Sequence, residues 1–184
     1  MTAALVILDM INLFDFEGGK ALAAQAKRIV KPIKDLRTAF TARGLPVIFA
    51  NDNFLNWNRD FKELVATCTH PSSSGSLIAE ELRPAPSDYY VLKPKHSAFL
   101  CTALPAILRD LQVDRLVLTG IATDSCVLMT AQDAHMREYK IVVPADCVAA
   151  QTKARSNAAL RLMQISTNID TSSSTTILRR IDLA

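Results

Sequence analysis

The amino-acid sequence predicts a doubly wound α/β fold: three α/β/α layers, Rossmann-like, around a mostly parallel central sheet of about six strands. Three observations lead there. The short apolar runs are continuous rather than alternating, as in strands covered on both faces. Segments of helical periodicity separate them. An acid, a lysine and a cysteine follow three of the runs, and in such folds ligands sit beyond the carboxyl ends of the strands.

The first strand is expected over 4–8, ending at Asp9. A helix follows over 20–43, in which Ile29, Ile33, Leu36 and Phe40 recur on one face. Gly44-Leu45-Pro46 ends it and opens a strand over 47–50, followed by Asn51-Asp52-Asn53. A third strand over 89–92 leads to Lys93, and a helix is expected over 103–111. The run 116–120 leads through Gly120 to Cys126 and a helix over 124–137. A strand over 141–143 runs into Pro144-Ala145-Asp146, then a helix over 152–165 and a last strand near 171–176. The serine-rich stretches 72–76 and 172–174 read as loops or a polar strand edge.

With 184 residues the chain is expected to form one domain over 1–184. Its 49% apolar and 21% charged residues argue against a disordered chain. Lys and Arg number 21 against 18 Asp and Glu, and a net charge of +3 is too mild to argue for a nucleic-acid or membrane partner. The apolar N-terminus lacks a basic stretch and meets Asp9 at once, which argues against a signal peptide. No apolar run approaches the roughly 18 residues of a membrane span. The cytoplasm is the expected compartment. The four cysteines, Cys68, Cys101, Cys126 and Cys147, form no CxxC pair, which sets aside zinc ribbons and thioredoxin-type chemistry.

Cys126 is the sharpest feature. With Thr123 or Asp124 as N-cap, it falls in the first turn of a helix. There unpaired N–H groups and the positive helix end favour a thiolate and can hold an oxyanion. The same position also suits a buried structural cysteine. Asp9 can serve as general base, ribose ligand, metal ligand or cap. Lys93 can lower the thiol pKa or polarise a carbonyl, with Lys95 as its rival. Gly18-Gly19-Lys20 lacks the P-loop frame, no GxGxxG follows the first strand, and no GxSxG elbow is present. His70, His96 and His135 share no ligand spacing, although His96 lies close enough to Lys93 in sequence to line a pocket.

Three segments together resemble the isochorismatase-like cysteine hydrolase family, which includes nicotinamidases and N-carbamoylsarcosine amidases. The first is Val6-Ile7-Leu8-Asp9-Met10-Ile11-Asn12-Leu13-Phe14. The second is Val91-Leu92-Lys93-Pro94-Lys95-His96-Ser97-Ala98-Phe99. The third is Gly120-Ile121-Ala122-Thr123-Asp124-Ser125-Cys126-Val127 followed by Thr130-Ala131-Gln132-Asp133-Ala134. The resemblance implies a catalytic triad of Asp9, Lys93 and Cys126. It also implies a non-proline cis peptide at Ile121–Ala122, with the N–H groups of Ala122 and Cys126 as oxyanion hole. Cys68, Cys101 and Cys147 are then ordinary thiols.

Nicotinamidases carry a metal held by an Asp and two His after the second strand. The corresponding stretch here has Asp52 but no histidine near it, so no metal or other cofactor is expected. Phe14, Asn53, Trp57, Phe99 and Ile121 are the expected pocket residues. The resemblance further implies a homo-oligomer, dimer or tetramer, to which aromatics around Phe54, Trp57 and Phe61 can contribute a contact. The expected activity is hydrolysis of a small amide or ureide. Asp9 takes the thiol proton, the thiolate forms a thioester, and Asp9 protonates the leaving amine and then activates water. Two alternatives stand beside it: vinyl ether hydrolysis that does not need the thiol, and a non-catalytic binding module on the same fold.

Overall fold

The computed structural model describes residues 2–54 and 58–181, apart from the side chain of residue 181. At its centre lies β1 (Thr2–Leu8), whose residues are divided between two cores. Successive side chains of a strand point to opposite faces. Accordingly Leu5 and Ile7 join one apolar cluster and Ala4, Val6 and Leu8 the other.

The first cluster is closed by α1 (Gly19–Ala42), which lays Leu22, Ala26, Ile29, Ile33, Leu36 and Phe40 against the sheet at helical spacing. The second lies under α4 (Leu104–Asp110), α5 (Leu128–Met136) and α6 (Lys153–Thr167). The sheet also contains β2 (Val47–Asp52), β3 (Tyr89–Lys93), β4 (Val113–Ile121), β5 (Lys140–Val142) and β6 (Val148–Ala149). Its order is β3-β2-β1-β4-β5, and β6 pairs with β4 beyond the end of β5. Every one of these pairings is parallel. This is the expected three-layer α/β/α architecture, with its switch point between β1 and β4.

Several expectations are corrected. The segment expected as a last strand at 171–176 instead enters a helix, α7 (Ser174–Ile181). Only a single parallel bridge, Val142 to Asp170, remains just before it. Asp146 explains the change, because its carboxylate accepts from both the backbone N–H and the hydroxyl of Ser174 and so caps the helix start. The sixth strand is β6, too short to carry a periodic signal. Two further helices, α2 (Phe61–Thr69) and α3 (Ser76–Glu81), cover the interval between β2 and β3. A capping box of Asp60 and Glu63 starts the first of them. Phe61, expected near a subunit contact, is buried against Phe49 and stacked on Tyr90 at 4.7 Å. No helix among the described residues is long and apolar enough to cross a membrane.

Candidate active site

The three candidate catalytic residues leave the sheet at the same edge. Asp9 follows β1 in a left-handed conformation (φ 53°) and is only 5% exposed. Its backbone N–H donates to the carbonyl of Ala50, which extends the β1–β2 pairing by one residue. The chain then turns. Asn12 donates to the Asp9 carbonyl, and its own side-chain oxygen accepts from the N–H of Phe14. Asn51 on β2 ties the carbonyl of Ile11 into the same loop.

Lys93 ends the edge strand β3, yet its side chain is fully buried. One strand, β2, lies between it and β1, and only a long side chain spans that distance. Its ammonium lies 2.9 Å from Asp9 Oδ2, 3.4 Å from Cys126 Sγ and 3.3 Å from the Lys95 carbonyl. The three donors of the ammonium thus have three acceptors. Lys95, the rival candidate, is exposed and contributes that carbonyl. The second Asp9 oxygen accepts from the backbone N–H of Asp52 at 2.8 Å.

Cys126 sits where β4 gives way to α5. The expected helical turn is present in a different form: Thr123–Val127 is a π-type turn, in which the N–H of Val127 reaches the carbonyl of Ala122. Neither Thr123 nor Asp124 caps it. Ala122 occupies the N-cap, with no side-chain cap bond. Thr123 instead bonds Ser156 on α6 at 2.8 Å within the core, and Arg155 holds Asp124 at 2.5 Å. The peptide bond between Ile121 and Ala122 is cis.

Electrostatics at the sulfur differ from expectation. Burial foremost, then the neighbouring Asp9 carboxylate, push the Cys126 thiol up to about 12, against the opposing pull of Lys93. Burial likewise raises Asp9 above its ordinary value, partly offset by Lys93. For Lys93 burial works against the ammonium, but the charges of Asp9 and Cys126 outweigh it and hold the pKa above its usual value. The resting thiol is therefore neutral, beside the Asp9–Lys93 contact at 2.9 Å. Asp9 is within hydrogen-bond reach of the thiol.

The Ser97-Ala98-Phe99 segment acquires a structural role. Ser97 donates to Asp133 at 2.7 Å, and the N–H of Ala98 donates to the Thr130 hydroxyl at 3.0 Å. The turn after Lys93 is thereby bonded to the helix that follows Cys126. Of the expected pocket residues, Asn53 lines a small cavity of about 50 Å3 with Leu13, Phe54 and Arg59. Phe14 and Ile121 are buried in the core cluster on the α1 side. Phe99 belongs to the opposite core, 5.9 Å from the ring of Tyr139 and beneath the Arg137 guanidinium, so it packs rather than lines a pocket. Trp57 lies outside the described residues.

The Asp52 carboxylate accepts from the N–H of Phe54 at 2.7 Å. No group of three His, Cys, Asp or Glu suited to a metal occurs among the described residues. With no histidine to join Asp52, these residues do not fit the nicotinamidase metal. Of the other histidines, His70 bonds Ser72 and His135 is exposed on α5. His96 approaches Cys126 Sγ at 3.7 Å. Its nearness to Lys93 in sequence hinted at this, whereas nothing in the sequence pointed to the backbone donor at Asp52 or to the Thr123–Ser156 pair.

A buried acid–lysine pair against a thiol, at the switch point of a parallel sheet, defines the class: a doubly wound α/β protein with its polar cluster at the strand ends. The comparisons with known proteins give the family. The Isochorismatase domain model matches residues 3–175. An uncharacterized isochorismatase family protein of Bacillus subtilis is 42% identical over 161 residues, covering 88% of each chain. A ureidoacrylate amidohydrolase of Yersinia enterocolitica is 32% identical over 171 residues, covering 78% of this chain and 74% of the relative. Among solved structures, N-carbamoylsarcosine amidase from Thermoplasma acidophilum superposes with a TM-score of 0.71 at 30% identity, covering 95% of this chain and 97% of that one. The chain belongs to the isochorismatase family and is a hydrolase of that family.

Proposed function

We propose that this protein is a cysteine-dependent amidohydrolase that cleaves a small amide or ureide through a thioester on Cys126. One observation carries the reading: a single buried ammonium lies 2.9 Å from the Asp9 carboxylate and 3.4 Å from the Cys126 sulfur. Such a cation stabilises the ionised state of either neighbour as the proton moves between them. The resting thiol is neutral, so the nucleophile forms when Asp9 takes its proton as the substrate arrives. The thiolate attacks the carbonyl, and the oxyanion rests on the N–H groups of Ala122 and Cys126. The C–N bond breaks as Asp9 returns the proton to the leaving nitrogen, and water then cleaves the thioester. The relatives that act on ureidoacrylate and N-carbamoylsarcosine support a ureide as the substrate class. The same reading takes the protein as a cytoplasmic homo-oligomer, dimer or tetramer, with a small molecule as its partner at the site. Light scattering of the purified protein tests the assembly.

The test of the function is a panel of small ureides, carboxamides and isochorismate, followed by acid quench and peptide mapping. The expected result is turnover of a ureide or amide, with the acyl mass on the Cys126 peptide and on none carrying Cys68, Cys101 or Cys147. Turnover of isochorismate alone, unaffected by Cys126→Ala but lost in Asp9→Ala, would assign vinyl ether hydrolysis instead. A protein inert to the whole panel and forming no adduct would indicate a binding module.

A further inference from the structure

The register of the turn that carries Cys126 decides what its backbone N–H can do. The carbonyl of Ala122 accepts from the N–H of Ser125 at 3.0 Å and from that of Val127 at 3.1 Å. In an α-helix the N–H of Cys126, four residues on, donates to that carbonyl. Here Val127 takes its place, and the Cys126 N–H between the two donors makes no bond to it. Such π-type turns are rare and gather at functional sites. In the α register the Cys126 donor is spent within the backbone; in the π register it is left for a substrate.

Two adjacent residues of α6 hold this turn. Ser156 bonds Thr123, and both are buried. Arg155 meets Asp124 at 2.5 Å, and its guanidinium is also fixed by the Gln151 side chain at 2.7 Å. The Asp124 side chain is 17% exposed. Its Oδ1 is buried, with no hydrogen-bond partner among the described residues, so Arg155 is the cation that balances its charge. A mostly buried carboxylate that loses its cation is costly to keep in place. The turn relieves that cost by swinging Asp124 toward solvent. Asp124 lies two residues from both Ala122 and Cys126, so the movement disturbs both N–H groups.

We propose that Arg155 is a positioning residue for the oxyanion hole: by pairing with Asp124 it keeps the turn in the π register and the Cys126 N–H available to the substrate. The proposal rests on the Cys126 reading above. Arg155 acts through Asp124 and the turn, and touches neither the sulfur nor the substrate.

The experiment compares two reagents. p-Nitrophenyl acetate acylates a thiol through an oxyanion, whereas iodoacetamide alkylates it at a saturated carbon with loss of iodide and develops none. Both rates are measured in wild type, Arg155→Met, Arg155→Lys, Arg155→Met with Asp124→Asn, Arg161→Met and Cys126→Ala, with the fold checked by circular dichroism. In Arg155→Met the nitrophenolate burst should slow by roughly tenfold to a hundredfold, while alkylation stays within about twofold of wild type. Arg155→Lys keeps the charge and should retain most of the burst rate. Adding Asp124→Asn to Arg155→Met leaves no charge to expel and should bring the burst back to within about fivefold of wild type. A merely structural loss of Arg155 predicts no such rescue. Arg161→Met, exposed on the same helix, should match wild type. A burst unchanged in Arg155→Met overturns the proposal, as does alkylation that falls as far as the burst, or a double variant no faster than Arg155→Met. Loss of the burst in Cys126→Ala upholds the nucleophile even if Arg155 fails, whereas a full burst in that variant overturns the nucleophile itself.

Discussion

At the scale of single residues the site depends on a compromise around Lys93. An isolated buried carboxylate is costly to keep charged, and an opposite charge at short range reverses the preference. Lys93→Met removes that charge and leaves the Asp9 carboxyl neutral and unable to take a proton. Turnover should drop by about 10²–10⁴-fold at neutral pH. An unchanged rate would show that Asp9 does not depend on its partner. The thiol itself makes a sharper prediction. Because burial and Asp9 push Cys126 up to about 12, its alkylation by iodoacetamide in the free enzyme should keep rising with pH beyond 9. A rate already level at neutral pH would mean a preformed thiolate. The sequence suggested the latter, since a helix N-terminus ordinarily lowers a thiol pKa. What it left out is that Asp9, distant in sequence, is placed beside the sulfur.

At the scale of elements, the strands and the long helix were legible and the joints between them less so. Ile29, Ile33, Leu36 and Phe40 announced α1, and the continuous apolar runs announced the buried strands. The π-type turn before α5 was not visible, because its geometry depends on tertiary partners: Thr123 with Ser156, and Asp124 with Arg155. Nor was α7, whose cap is a carboxylate 28 residues upstream. The most constrained joint is Gly120, at φ 105°, where a Cβ would stand 2.1 Å from the Leu8 carbonyl oxygen. That close approach seats the thiol-bearing strand against the strand that carries Asp9. Gly120→Ala should destabilise the protein by about 3 kcal/mol or more, combining steric overlap with an unfavourable dihedral. Urea denaturation reads the change, and a loss below about 0.5 kcal/mol would contradict the packing described. Ser156→Ala should cost about 1–3 kcal/mol by leaving the buried Thr123 hydroxyl unpaired.

At the scale of the whole molecule, the sheet separates two apolar cores and gathers Asp9, Lys93 and Cys126 at one edge. This division was readable from hydropathy alone, because β1 supplies both faces. The assembly of the site was not, since it joins the ends of β1, β3 and β4, which are far apart in sequence. The resemblance of three short segments supplied what periodicity could not. Buried thiols also shape the stability of the molecule. Cys126 and Cys68 are held up at about 12 and Cys147 is raised as well, against an ordinary value of 9.0. A raised folded pKa contributes stability that is complete below 9.0 and is lost as pH climbs toward the folded value. Stability should therefore decline above pH 9, and less steeply in Cys68→Ala than in wild type. Lys93 shares the sign at higher pH but is common to both proteins, so the difference in slope isolates the thiol.

The central claim is that Cys126 is the nucleophile, and turnover by Cys126→Ala on the ureide or amide identified from the panel tests it most directly. The account predicts loss of all but residual hydrolysis, roughly 10⁴-fold or more, with the fold intact by circular dichroism. A folded Cys126→Ala protein that hydrolyses the same substrate at the wild-type rate would contradict it.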